Sequence, residues 1–261
     1  MGGVTYALVT TFSPKGFDVY GRKMLESAVV YLPADVPIYA YYEGECPAHV
    51  TNRVTWVPLD RDQDRAAFMR THKDREDSKG SYRYRVVTYS HKVFAMSASP
   101  RKTDHLIWLD ADCVFLNPVS PDDLAVVCAE KGKIGSYLGR PYHRHSETGF
   151  LSFSLNAGGD LVLNELRNLY TSGEIVKLPE WHDSMAFDAV RRKFEQRGYR
   201  FTNICADSHG LNVFPQSQLA KFVKHNKGAI RKEAAYGDHM VPGLGGELSD
   251  HKLELIGDDD R

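Results

Sequence analysis

Two carboxylates, Asp110 and Asp112, stand one residue apart directly after the apolar run of residues 106–109. In an extended segment, residues i and i+2 point to the same side, so both carboxylates are expected to face one ligand. Two like charges so close repel each other unless a cation lies between them. Carboxylate oxygens suit Mg²⁺ or Mn²⁺, which also bind substrate phosphates. The spacing therefore predicts a divalent metal site, and the alternative is that Asp112 caps a turn while Asp110 pairs with a basic side chain.

The residues before this motif follow a β-α-β order. Residues 6–11, 36–42 and 54–57 are short apolar and β-branched runs, and residues 19–32 carry apolar side chains at helical spacing. This order predicts an α/β fold, a single Rossmann-like domain with a mainly parallel mixed sheet flanked by helices. Ligands of such sheets bind beyond the carboxyl ends of the strands. We therefore expect the ligand to lie beside three residues that end the first strand, Thr10, Thr11 and Phe12.

Later segments complete the predicted domain. Residues 60–81 are polar and without periodicity, which predicts an irregular excursion, and residues 83–98 are predicted to be helical. One face of that helix, which includes Arg85 and Lys92, is half basic and half apolar, so it is either a solvated edge or a wall of an anion site. The domain is expected to cover residues 1–235, with 236–261 as a tail or lid.

Charge and cysteine content limit the possible classes of protein. The chain of 261 residues has 33 Lys and Arg against 34 Asp and Glu, so its overall charge favours neither nucleic acid nor membrane. Lys and Arg exceed Asp and Glu by 11 to 5 over residues 61–102 and by 10 to 2 over residues 191–232, which is compatible with an anionic ligand or with solvated faces. Four scattered cysteines predict reduced thiols. With no signal-peptide pattern and no membrane span in the sequence, we expect a cytoplasmic protein.

The strand, the D-x-D pair and a second strand closed by Asn117-Pro118 resemble the metal motif of the glycosyltransferases with the GT-A fold. Some members carry a basic helix residue before D-x-D, where Arg85 or Lys92 stands here. The segment of residues 147–151 is similar to their N-x-G-x-L pattern, with Glu147 in place of Asn. The pair at 183–184 is similar to a D-Q motif at the start of a helix, with Ser in place of Gln.

A third match lies near the end of the predicted domain. The segment of residues 225–231 is similar to the H-x-x-G-x-x-K pattern of family-eight-like retaining enzymes, in which the His completes the metal site. His225 and Gly228 match in spacing, and Arg231 stands where the family has Lys. The resemblance implies that Asp110, Asp112 and His225 hold Mn²⁺ or Mg²⁺. It also implies that the donor contacts include five residues, Lys92, Asp110, Lys227, Gly228 and Arg231.

The resemblance implies a glycosyltransferase, and the sequence leaves its stereochemistry open. An inverting reaction needs an Asp or Glu that takes the acceptor proton, and Asp183 is the first candidate, ahead of Glu180 and Glu147. A retaining reaction, which the H-x-x-G match favours, would use Asp183 or Glu147 to position the sugar. Asp183 is predicted equally well as the N-cap of a helix over residues 183–196. His143 and His145 could either contact the acceptor or lie in a loop without a role in the site, and the second interpretation is favoured.

Three functions remain open at this level. The first is a hexosyl- or pentosyltransferase that uses a nucleotide diphosphate sugar, with UDP as the expected nucleotide. The second is a metal-dependent nucleotidyltransferase or phosphohydrolase, and it requires a glycine-rich phosphate loop for which residues 13–16 are a poor match. The third is a module that binds the nucleotide sugar without turnover. The acceptor of a transferase could be a glycan, a protein or a modified nucleobase in DNA.

Overall fold

The computed structural model describes residues 3–47, 51–75, 79–141, 143, 145–208 and 212–227. Strands and helices alternate along most of this part of the chain. The strands are β1 (Tyr6–Phe12), β2 (Ile38–Tyr42), β3 (Val54–Pro58), β4 (His105–Leu109), β5 (Cys113–Phe115), β6 (Gly135–Leu138), β7 (Glu147–Ser154), β8 (Phe201–Asn203) and β9 (Val223–His225). The α-helices are α1 (Pro14–Gly16), α2 (Arg22–Tyr31), α3 (Gln63–His72), α4 (Val86–Ala98), α5 (Pro121–Val127), α6 (Gly159–Thr171) and α7 (Asp183–Gln196).

Seven strands form one sheet in the order β3-β2-β1-β4-β7-β6-β8. Strands β3, β2, β1 and β4 pair in parallel, and so do β6 and β8, whereas β7 runs antiparallel to both of its neighbours. The prediction of an α/β fold with a mainly parallel mixed sheet is therefore confirmed. Because β7 is reversed, its first residues lie next to the carboxyl end of β4. A second, two-stranded sheet pairs β5 with β9 in antiparallel fashion.

Each face of the large sheet is covered by its own apolar core. Strand β1 shows why, because Leu8 and Phe12 point to one face while Ala7 and Val9 point to the other. Helices α2 and α5 pack on the first face, together with β5 and β9. Helices α3, α4, α6 and α7 pack on the second face. The sheet is thus buried on both sides, and its strand ends are where polar groups gather.

The predicted irregular excursion over residues 60–81 is wrong, because the structure has helix α3 there. The Asp62 carboxylate accepts a hydrogen bond from Arg65 N (3.0 Å) and begins the helix. The buried residues of α3 are Arg65, Phe68 and His72. They lie at helical spacing, but two of them are polar, so no apolar period was visible in the sequence. Arg65 can be buried because its guanidinium pairs with the carboxylates of Asp60 (2.7 Å) and Glu43 (2.9 Å).

Other predictions concern cysteines, the membrane and the domain boundary. All four cysteines are free thiols, with Cys113, Cys128 and Cys205 buried and Cys46 exposed. Within the described part of the chain, no helix has both the length and the apolar character needed to cross a bilayer. The boundary at residue 235 and the tail of residues 236–261 lie outside the described residues.

Two tyrosines in the second core provide a matched test of buried hydroxyl groups. The Tyr170 hydroxyl is fully buried and has no hydrogen-bond partner among the described residues, whereas the Tyr41 hydroxyl is hydrogen-bonded to Ser99 Oγ (3.2 Å). We expect Tyr170→Phe to raise the free energy of unfolding by about 1 kcal/mol, because an unpaired buried hydroxyl is costly. We expect Tyr41→Phe to lower it by about 1 kcal/mol. Urea unfolding measures both, and a loss at Tyr170 equal to that at Tyr41 would contradict the assignment.

Candidate functional site

The acidic motif lies at the edge of the sheet where β4 ends and β7 begins, and we call this edge the crevice because ligands of α/β sheets bind there. The Asp110 backbone N–H donates to the Gly149 carbonyl (2.9 Å), which continues the β4–β7 pairing by one step. Successive residues of a strand point to opposite sides, so Glu147 and Thr148 project to opposite faces of the sheet. The structure thereby brings the motif at 110–112 together with the segment of residues 147–151, which is similar to the N-x-G-x-L pattern.

Asp110 and Asp112 occupy a turn rather than an extended segment. Cys113 N donates to the Asp110 carbonyl (3.0 Å), which closes the turn. The two carboxylates consequently face different partners. Asp110 Oδ1 accepts a hydrogen bond from Trp108 Nε1 (2.7 Å) and lies 2.8 Å from Lys92 Nζ. Asp112 Oδ1 lies 3.3 Å from His225 Nε2.

The Lys92 ammonium is buried between three oxygen acceptors. Lys92 Nζ lies 2.8 Å from Asp110 Oδ1, 2.5 Å from Asp183 Oδ2 and 2.8 Å from the Thr148 carbonyl. Burial alone would lower the pKa of Lys92, but the Asp110 and Asp183 carboxylates outweigh it, so its pKa is raised. An ammonium has three N–H groups, and these acceptors satisfy all of them. Lys92 therefore serves inside the site as a fixed counter-charge rather than as a cation open to a diphosphate.

Asp183 is the first residue of α7 and faces the crevice. Its Oδ2 accepts hydrogen bonds from Lys92 Nζ and from Thr148 Oγ1 (2.8 Å). Burial raises the pKa of Asp183, but Lys92 outweighs this and lowers the pKa to about 2. The helix runs over Asp183–Gln196, and its N-cap is His182, whose side chain accepts from Met185 N. The interpretation of Asp183 as the N-cap is therefore wrong, because the neighbouring imidazole fills that position.

Glu147 forms the opposite wall together with two cations. Its Oε2 pairs with the Arg140 guanidinium and lies 3.1 Å from Lys227 Nζ, while Oε1 accepts from Gly149 N (3.1 Å). Burial raises the pKa of Glu147, but Lys227 and Arg140 outweigh it and lower the pKa to about 2. Glu147 is thus ionised and has partners on both oxygens.

Asp112 and His225 form the pair that fits a divalent metal. Strands β5 and β9 align Cys113 with His225, which brings the imidazole beside the preceding Asp112. The 3.3 Å between Asp112 Oδ1 and His225 Nε2 suits two ligands of one ion. Two atoms that each lie about 2.1 Å from an ion, at an angle of about 100°, are about 3.2 Å apart. Carboxylate oxygen and imidazole nitrogen together suit Mn²⁺.

A glycine provides the space for this imidazole. A Cβ on Gly149 would lie 3.1 Å from His225 Cε1, closer than an ordinary contact. The ligand atoms that converge within 4.8 Å at this point, among the described residues, belong to Asp112, Cys113 and His225. Asp110, the third predicted metal ligand, is turned toward Lys92 instead. The Cys113 thiol is fully buried in the core under the first face of the sheet.

Glu180 is buried against two imidazole rings. Its side chain is 5 % exposed, and its Oε2 lies 2.8 Å from His182 Nε2 and 3.1 Å from His145 Nε2. Burial raises the pKa of Glu180, but the two imidazoles and Arg83 outweigh it and lower the pKa. His145, predicted as a loop residue, therefore contacts a candidate catalytic carboxylate through its ring.

The predicted donor contacts at the end of β1 are mostly covered. Thr10 is fully buried and Phe12 is buried, while the half-buried Thr11 donates its hydroxyl to the Tyr41 carbonyl (2.9 Å). Arg85 is exposed directly before α4. Two further predicted contacts, Gly228 and Arg231, lie outside the described residues.

Two residues of the crevice escaped prediction. Thr148 supplies a carbonyl to Lys92 and a hydroxyl to Asp183. The sequence did contain a signal for Thr148, because it stands between Glu147 and Gly149 in a predicted strand. Adjacent strand residues point to opposite faces, so Thr148 had to face the side that Glu147 does not. Arg140 lies seven residues before Glu147, in a loop, and nothing in its local sequence indicates the ion pair.

Comparison with known proteins gives structural likenesses only. No protein-family model matches the chain, and no curated protein matches it in sequence. Mouse xyloside xylosyltransferase 1 in its apo form superposes with a TM-score of 0.47 and 11% identity over 77% of this chain and 85% of that one. A glycosyltransferase involved in glycosylation of the major capsid of PBCV-1 superposes with a TM-score of 0.49 and 14% identity, over 89% of this chain and 98% of that one. Because both TM-scores are below 0.5, we draw no functional conclusion from these likenesses.

Replacement of the buried ammonium tests how the crevice is held together. We expect Lys92→Met to lower the free energy of unfolding at pH 7 by about 3–5 kcal/mol, because it leaves two partly buried carboxylates without their counter-charge. The deficit should shrink at pH 4, where Asp110 and Asp183 can take up protons. Urea unfolding of the variant measures both values. The exposed control Lys102→Met should change stability by less than about 0.5 kcal/mol, and a similarly small change at Lys92 would refute its role.

The low pKa values of Glu147 and Asp183 predict acid sensitivity. Both groups titrate at about 2 in the folded protein and at about 4 in the unfolded chain. Their contribution to stability is therefore fully present above about pH 5 and is lost as the pH falls toward 2. We expect Glu147→Gln to weaken this acid dependence in urea unfolding measured from pH 7 to 2.5. The control Glu26→Gln, on an exposed helix position, should leave the curve unchanged, and an equal effect of both variants would contradict the prediction.

Proposed function

We propose that the protein is a metal-dependent glycosyltransferase that moves a sugar from a nucleotide diphosphate sugar, with UDP as the nucleotide, to a hydroxyl acceptor. The observation that carries the proposal is the 3.3 Å approach of Asp112 Oδ1 and His225 Nε2 beyond the end of β4. Ligands of α/β sheets bind at this edge of the strands. The resemblance of the D-x-D motif to the metal motif of GT-A glycosyltransferases supports a metal at the same place.

Mn²⁺ or Mg²⁺ held by Asp112 and His225 would stabilise the negative charge that develops on the leaving diphosphate. Asp110 acts differently in this proposal. Its carboxylate stays with Lys92 and Trp108, so it orients the turn that presents Asp112 and remains available for hydroxyl groups of the donor. The D-x-D pair thus divides into one ligand and one orienting group.

Lys227 and Arg140 are the cations that support diphosphate binding. The Lys227 side chain is 54 % exposed, and both cations pair with Glu147. A diphosphate carries several charged oxygens, and it can compete with one carboxylate for these two partners. Lys227 follows His225 by two residues, so metal ligation and diphosphate binding would draw on the same short segment.

The three carboxylates that are candidates for the general base, those of Asp183, Glu180 and Glu147, have low proton affinity. The pKa values of Asp183 and Glu147 are about 2, and the pKa of Glu180 is lowered as well. A general base works best when its pKa is near the working pH, so these groups are weak proton acceptors at neutral pH. This supports a retaining reaction in which an oxygen of the leaving phosphate takes the acceptor proton. The ionised Asp183 would then position the sugar and stabilise positive charge at its anomeric carbon.

The direct test is binding of UDP by calorimetry with and without Mn²⁺, followed by a screen of UDP-sugars for transfer or hydrolysis. We expect Mn²⁺ to be required for tight binding of UDP, and Asp112→Asn to weaken that binding about 100-fold, because a metal ligand is lost. The control Asp35→Asn, at an exposed loop position, should bind like the parent protein.

Two outcomes would overturn parts of the proposal. Binding of UDP that survives both EDTA and Asp112→Asn would contradict the metal site. Tight, metal-dependent binding without turnover of any nucleotide sugar would instead identify a binding module.

A further inference from the structure

A second group of side chains converges beside Asp183, away from the Asp112–His225 pair. His182 Nε2 lies 2.8 Å and His145 Nε2 lies 3.1 Å from the same carboxylate oxygen, Glu180 Oε2. The two imidazole rings meet edge to face, with 4.9 Å between their centroids. The side chains are between 5 % and 13 % exposed. Two imidazoles and one carboxylate in such an arrangement could be either a metal site or a hydrogen-bonded group.

The hydrogen bond on the far side of His182 decides between these two possibilities. Met185 N donates to His182 Nδ1 (3.2 Å), and a backbone N–H can only donate. Nδ1 must therefore carry a lone pair, so the single proton of a neutral imidazole is on Nε2. That Nε2–H points at Glu180 and has no lone pair for a metal. The geometry is that of a carboxylate that accepts a hydrogen bond from His182.

His145 completes the group from the neighbouring loop. Its Nε2 faces Glu180 Oε2, and its Nδ1 lies 3.9 Å from Asp188 Oδ2 without a hydrogen-bond partner among the described residues. Asp188 in turn accepts from Ser146 N (2.9 Å) and Ser146 Oγ (2.7 Å). The residues directly before β7 are thus attached to the residues directly before α7 and to its second turn.

We propose that Glu180, His182 and His145 form a positioning clasp for the transferase reaction. The clasp joins the chain just before Asp183 to the chain just before Thr148. Those two residues meet through a 2.8 Å hydrogen bond and share Lys92, so their separation depends on both backbone segments. None of the three clasp residues needs to touch the substrate. This inference rests on the proposed function for its kinetic consequence, whereas the protonation pattern of the clasp does not depend on it.

The first test is a long-range ¹H–¹⁵N NMR experiment on the parent protein, with His182 assigned through His182→Asn. We expect Nδ1 of His182 to be unprotonated and Nε2 to be protonated at pH 7. One equivalent of Zn²⁺, added as a probe, should leave the resonances of His145 and His182 unchanged. An unprotonated Nε2 together with a Zn²⁺-induced shift of both rings would overturn the clasp and identify a metal site. This result is independent of whether the protein transfers any sugar.

The second test uses Glu180→Ala and the conservative Glu180→Gln. The amide oxygen of Gln can still accept the two imidazole N–H groups, whereas Ala removes the acceptor. We expect Glu180→Ala to lower kcat about 10-fold to 100-fold with the affinity for UDP and Mn²⁺ unchanged, because misplacement of Asp183 affects the reaction and not nucleotide binding. Glu180→Gln should recover most of kcat and retain the Nε2 proton signal of His182.

Two kinetic results would contradict the clasp. Equal loss of kcat in Glu180→Gln and Glu180→Ala would mean that the charge of Glu180 acts directly. An unchanged kcat in Glu180→Ala, in a protein that transfers sugar, would mean that the clasp does not position Asp183. If Glu180→Ala does not fold, the NMR result on the parent protein still decides the protonation pattern.

Discussion

One buried ammonium determines the arrangement of the crevice. Lys92, on α4, lies between Asp110 at the end of β4 and Asp183 at the start of α7, and it also donates a hydrogen bond to the Thr148 carbonyl in β7. Asp110 and Asp183 also accept hydrogen bonds from Trp108 and Thr148, but without Lys92 both carboxylates would lack a counter-charge in a partly buried environment, which is costly. The ion pairs explain how an apolar strand can lead directly into two carboxylates. They also fix the relative positions of β4, β7, α4 and α7 where a ligand of the sheet would bind.

The charge arrangement has a second consequence for the acidic pair. Because Lys92 engages Asp110, the carboxylate of Asp112 is the one that meets His225 across the β5–β9 ribbon. On the other side, Glu147 forms ion pairs with two cations, Arg140 and Lys227. The crevice therefore contains one carboxylate paired with Lys92, the Asp112–His225 pair and one carboxylate paired with two cations. Under the proposed function, Asp112 and His225 would hold the metal and the two cations would bind the diphosphate.

Local patterns made part of this arrangement predictable. The β-α-β order and helix α7 follow from periodicity, and the D-x-D pair and His225 follow from a motif with fixed spacing. Contacts between distant segments could not be predicted in the same way. Nothing near Lys92 in the sequence indicates that Asp183 is its partner, and the basic excess of residues 61–102 concealed two buried cations, Arg65 and Lys92. The N-cap at His182 was missed because Ser, Thr, Asp and Asn are the usual residues there.

The most direct measurement of the central claim is a crystal structure with Mn²⁺ and UDP, in which the manganese is located by anomalous scattering. We expect a single strong peak within coordination distance of both Asp112 and His225, with the UDP diphosphate on the same ion. Asp110 should remain hydrogen-bonded to Lys92 in that structure. A peak bound by Asp110 away from His225, or a bound UDP with no metal beside Asp112, would contradict it.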